Sequence, residues 1–152
     1  MLQYIGDDDV GRHFYAVRFR PDCLQSLPWG GEEFDCTVFA CDPQQIRERA
    51  QSICAALVDA NTDWVATTGP DAEWLHDLVD SSSVHRGRQT AVGDGSPMTA
   101  WHEDAVGVDQ MADVAYYGAG GQDYVVALVV GNEIDFTSAV GSLKGRLARQ
   151  RD

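Results

Sequence analysis

His102-Glu103-Asp104 is the triplet of most reactive composition in the chain. An imidazole that titrates near neutrality can take or give a proton in a reaction, and a neighbouring acid can orient its ring. His102 and Glu103 are therefore the candidate catalytic residues. Consecutive side chains seldom converge on one point, however, and Asp104 is placed to cap a following helix.

A second set has the composition of a ligand site. Asp42, Thr67, Thr68 and Asn132 supply an acid, two hydroxyls and an amide, each at or just beyond the end of a segment that reads as a strand. Thr67-Thr68-Gly69-Pro70 could offer hydroxyls and backbone N–H groups to a phosphate at a helix start. It has neither the glycine spacing of a dinucleotide fingerprint nor the lysine of a P-loop, and Pro70 removes one N–H from such a cradle. No spacing among Asp42, His102 and Glu103 marks a metal centre, and neither a metal nor a cofactor is expected. There is no G-x-S-x-G elbow; Gly141-Ser142 falls inside a helical pattern.

The elements that must position these residues follow from periodicity. Tyr124–Val130 is a valine-rich run without polar alternation, closed by Gly131-Asn132, and it predicts a central strand buried on both faces. The alternation Val17, Arg18, Phe19, Arg20 predicts a half-exposed strand near a sheet edge, ended by Pro21. Cys36–Cys41 reads as a more buried strand. Asp42-Pro43 then opens a helix with an acid at the cap and proline in the first turn. Ile46, Ala50, Ile53, Cys54, Leu57 and Val58 form its apolar face, and Asn61 is placed to close it. Trp64–Thr68 is a third strand, and Trp74, Leu75, Leu78 and Val79 mark the inner side of the next helix. Pro97–Trp101 reads as a short strand. Val108, Met111, Ala112, Ala115 and Tyr116 line one helix, and Phe136, Val140, Leu143 and Leu147 another. The basic end of that last helix complements its dipole.

Strands thus alternate with helices, which predicts an α/β domain over residues 1–152. The expected architecture is three-layered, Rossmann-like or flavodoxin-like, with a mostly parallel sheet flanked by helices. Residues 1–12 read as a loose acidic lead-in in which Asp7-Asp8-Asp9 is a solvated charge run. Residues 81–97 read as an exposed loop. In such a sheet, ligands bind beyond the carboxyl ends of the strands, which is where Asp42, Thr67, Thr68, His102, Glu103 and Asn132 fall.

The net charge of −13 on 152 residues bounds the partners. Polyanionic nucleic acid and anionic membrane surfaces are disfavoured, whereas a basic protein would be steered toward the chain. No apolar run approaches the roughly 20 residues of a membrane span. The first residues lack the basic start and apolar stretch of a secretory signal, so a cytoplasmic location is expected. Cys23, Cys36, Cys41 and Cys54 are irregularly spaced without a C-x-x-C pair and are expected to stay reduced. Two functions follow as expectations. The first is a small non-enzymatic binding protein that engages a basic partner as an antidote, inhibitor or accessory subunit would. The alternative is a hydrolase-like or nucleotide-binding enzyme with its site on the carboxyl rim.

Overall fold

A computed structural model of the chain describes residues 1–85, 97–118 and 121–150. In chain order the elements are β1 (Gln3–Asp7), β2 (His13–Arg18), β3 (Phe34–Ala40), α1 (Pro43–Asp59), β4 (Thr62–Thr68), α2 (Ala72–His85), β5 (Met98–His102), α3 (Val108–Tyr117), β6 (Tyr124–Val130) and α4 (Glu133–Arg149). The strands form one six-stranded sheet in the order β1-β2-β6-β3-β4-β5. All neighbours pair in parallel except β1, which runs antiparallel to β2.

β6 lies between β2 and β3, as its uninterrupted apolar run predicts. Val126, Leu128 and Val130 face the layer of α1 and α2, where they meet Cys36, Val38, Ile46, Ile53 and Leu57. Ala127 and Val129 face α3 and α4, against Phe39, Met111, Ala139 and Leu143. Neither face reaches water, because each alternate row of side chains has a helix pair above it. The architecture is therefore an α/β sheet with helices on both sides.

Helix α1 starts as its sequence dictates. The Asp42 carboxylate accepts the N–H groups of Gln44 and Gln45, and Pro43 occupies the first turn. Its end differs slightly from expectation: Ala60 is the C-cap, while the Asn61 amide donates to the Gly31 carbonyl. Between β4 and α2 the chain turns at Gly69, whose φ of +86° and close approach to Ala40 favour the absence of a Cβ.

Three expectations are corrected. Residues 1–12 are not a loose lead-in, since Gln3–Asp7 adds a strand beside β2. Asp8 is buried rather than solvated. One of its oxygens accepts the Val10 and Arg12 N–H groups and the other meets Arg12 Nε at 2.5 Å, so it organises the turn that reverses β1 into β2. Asp7 bonds Tyr4 and His13, each at 2.6 Å. With β1 outside it, β2 is the second strand from the edge. Next, Ser81–His85 belongs to α2 and not to a loop, with Ser83 buried and its hydroxyl on the Val79 carbonyl. Pro97 is also buried, and residues 86–96 of the expected loop lie outside the described residues. Finally, Asp104 does not cap α3. It sits in a turn closed by Ala105 N–H on the His102 carbonyl, and the helix begins only at Val108. There the Gln110 side chain accepts the N–H groups of Val106 and Gly107.

Leu128 is fully buried at the middle of the central strand. Leu128→Ala should lower the unfolding free energy by about 2–5 kcal/mol, read from the urea midpoint at unchanged slope.

Candidate functional site

The carboxyl ends of the parallel strands form one rim. Across the sheet it runs from Arg18 on β2 through Gly131-Asn132 after β6, Cys41-Asp42 after β3 and Thr68-Gly69 on β4 to His102 on β5. Helices α1 and α4 leave the adjacent strands β3 and β6 toward opposite faces, so the crevice where chain direction switches lies between Asp42 and Asn132. Asp42 N–H donates to the Val130 carbonyl at 3.0 Å and draws the two strand ends together.

The rim brings Asp42 and Asn132 to that crevice, but their polar groups are engaged. Asp42 Oδ1 serves the α1 cap, and its Oδ2 accepts from the Gln45 amide at 3.1 Å. Asn132 Oδ1 accepts the Asp135 N–H at 2.8 Å, while Asp135 Oδ2 accepts the Asn132 N–H at 2.9 Å, a reciprocal cap on α4. Gly131 is needed beside it, because a Cβ there would overlap the Asp135 carboxylate.

Thr67 and Thr68 are buried, and both hydroxyls bond main chain. Thr67 donates to the Ala72 carbonyl at 2.7 Å and ties the strand end to α2. Thr68 Oγ1 donates to the Val38 carbonyl at 2.7 Å and accepts the Ala40 N–H at 3.1 Å. The side chain thus stands in for a backbone partner where β3 and β4 diverge.

His102 and Glu103 end the outermost strand. With strands about 4.8 Å apart, that end lies roughly 14 Å from the end of β6 and about 10 Å from that of β3. The His102 carbonyl accepts the Gly69 and Ala105 N–H groups, Glu103 is exposed, and neither side chain has a hydrogen-bond partner among the described residues. Asp42, His102 and Glu103 are therefore not gathered. Among the described residues no group of three His, Cys, Asp or Glu side chains could hold a metal ion.

Other chemistry-bearing residues occupy the ends of the rim. On the β5 side, Trp101 stacks edge-on against His76 of α2 at 4.6 Å. His76 lies between Asp77, at 3.1 Å, and Asp80, at 3.7 Å. On the β2 side, Arg18 and Arg20 line a cavity of about 560 Å³ with Leu2, Tyr4, Glu133 and Phe136. Their alternation in sequence was a signal for them, but it shows only that they share a face. That β1 and α4 would wall that face depends on strand order, which periodicity does not encode. A further cavity of about 440 Å³ separates α1 from the connection between β2 and β3, lined by Leu24, Leu27, Phe34 and Ala56 among others.

Cys41 sits on the rim beside Asp42 and is half-buried. Burial, reinforced by the Asp135 charge, pushes its thiol up to about 11. Burial also raises Cys54 to about 11 and raises Cys36 still further. At neutral pH these groups are thiols, the form that is a poor nucleophile.

Two outcomes follow. Thr68→Val leaves two buried main-chain groups without their partner and should destabilise the protein by about 1–3 kcal/mol in urea denaturation, whereas Thr68→Ser should retain most of the stability. Iodoacetamide, read by mass spectrometry, should label Cys41 far more slowly than free cysteine at pH 7. The labelling rate should rise about tenfold per pH unit below the thiol's raised value, since the thiolate is the reacting form. Cys36 and Cys54 should react only after unfolding.

No curated protein and no solved structure matches the chain. A family match covers residues 14–132, from the second residue of β2 to the cap of α4, and so includes all five parallel strands and the whole rim. The chain belongs to the family described as Domain of unknown function (DUF7684).

Proposed function

We propose that the protein is a non-enzymatic binding protein that engages a basic protein partner, as an antidote, inhibitor or accessory subunit does. The observation that carries this reading is the outer edge of the sheet. β5 pairs only with β4 among the described residues, and it presents Met98 at 64 % and Trp101 at 46 % exposure. On the Trp101 side stand the acids Asp77 and Asp80 of α2, with Glu103 and Asp104 following on the rim, while Met98 takes the other face of the strand and Val106 is exposed beyond. A tryptophan at the centre and charges at the margin is the usual composition of an interface hot spot. This edge, unpaired among the described residues, can add a strand from the partner, and the acids favour a cationic one.

The alternative, a hydrolase-like or nucleotide-binding site on the rim, has less support. The hydroxyls and caps that would serve it already bond main chain, and the net charge of −13 opposes a polyphosphate. The strand order runs outward from β3 to β5 and then returns to the other side of β3. That course supports classing the fold as Rossmann-like or flavodoxin-like, without carrying a nucleotide site with it. No helix among the described residues is long and apolar enough to cross a membrane. A cytoplasmic setting, in which the thiols stay reduced, belongs to the same proposal.

Affinity capture from the native source tests the reading. A cationic protein should be retained, and its affinity should fall by roughly tenfold or more between low and high salt as the charges are screened. Trp101→Ser should weaken the complex by about 2 kcal/mol or more, and Asp77→Asn with Asp80→Asn should slow association. A complex indifferent to salt and to both variants, or no retained partner, would contradict the proposal.

A further inference from the structure

The opposite end of the rim carries the reverse charge. Arg18 and Arg20 project from one face of the β2 chain into the cavity of about 560 Å³ walled by β1 and α4, a size suited to a small molecule. Three other arginines find acids: Arg12 meets Asp8, Arg47 meets Asp71 and Arg146 meets Asp113. Arg18 and Arg20 have no carboxylate partner among the described residues, although the chain carries an acidic excess of 13. Arg18 Nε donates to the Gly131 carbonyl at 2.8 Å, which fixes the guanidinium plane and leaves its terminal nitrogens to other acceptors.

We infer that this cavity is a binding site for a small organic carboxylate with an apolar or aromatic body, its carboxylate held by Arg18 and Arg20. A planar guanidinium held at Nε matches a carboxylate in paired hydrogen bonds. Phe136 of α4 supplies an apolar wall for the rest of the ligand, and Met1 and Gln3 of the neighbouring chain edge complete the lining on that face. Glu133, the acid on this wall, offsets one of the two guanidinium charges and leaves the cavity cationic, which suits an anion. The start of α4 does not supply the anion contact, because Asn132 and Asp135 already close it. This inference is independent of the partner edge on β5, and either can fail without the other.

Titration of the full chain with 3-phenylpropionate, its uncharged amide and inorganic phosphate, read by thermal shift and calorimetry, tests it. The acid should raise Tm saturably; the amide and phosphate should bind at least tenfold more weakly. Arg20→Gln removes an exposed side chain with no hydrogen bond among the described residues, so the protein should fold as before and lose at least tenfold in affinity. Arg18→Gln should lose as much, and Lys144→Gln, away from the cavity on α4, should change nothing. The inference is overturned if arylalkyl carboxylates such as 3-phenylpropionate, 4-phenylbutyrate and indole-3-acetate all fail to bind. It is equally overturned if amide or phosphate matches the acid, or if Arg20→Gln binds as the unaltered chain does.

Discussion

The structure depends on covering both faces of one strand. β6 contributes Val125 to Val130 with almost no exposure, paired to β2 on one side and to β3 on the other. A strand without a polar face is stable only if helices pack above and below it, and parallel neighbours need crossover connections that bring those helices. The positions of α1 and α2 on one face and α3 and α4 on the other follow from that single requirement. So does the location of the crevice, since the helices after β3 and β6 depart in opposite directions.

This constraint explains why the polar groups of the central rim are structural. Where β3, β4 and β6 stop pairing, their last main-chain groups are buried and must find partners. Thr68 satisfies β3, Thr67 satisfies the start of α2, and the Asp42 and Asn132 caps satisfy the starts of α1 and α4. Asp42, Thr67, Thr68 and Asn132, whose composition suggests a ligand site, are residues that close the core. At the sheet's two sides the demand relaxes. There the chain displays groups with capacity to spare: Trp101 among acids on β5, and at the end of β2 Arg20 with Arg18, whose Nε holds the Gly131 carbonyl while its terminal nitrogens stay available.

Much of the layer architecture was legible in the residues. The valine run, the Asp42-Pro43 helix start and the apolar spacing in α1 and α4 each point to one structure, because local preference and burial agree there. β1 was hidden for a physical reason. Gln3-Tyr4-Ile5-Gly6-Asp7 alternates weakly, and its pairing shifts register between Tyr4 and Gly6. The adjoining Asp7-Asp8-Asp9 has the composition of a solvated run, and only the buried contact of Asp8 with Arg12 shows it to be a turn. The candidate site was legible as a set of strand ends and not as a geometry. Periodicity tells which face a side chain takes but not which strand lies beside it. His102 and Asn132 therefore looked like neighbours on one rim, although two strands separate their own.

The proposed contact for a basic partner is the edge of β5 that no described strand covers. Hydrogen–deuterium exchange of the captured complex against the free chain tests it most directly. Protection is expected over Met98–His102 and the outer turn of α2 around Asp77 and Asp80, with the crevice between Asp42 and Asn132 unchanged. Protection confined to that crevice or to the β1–β2 side, with β5 exchanging as in the free chain, would contradict the account.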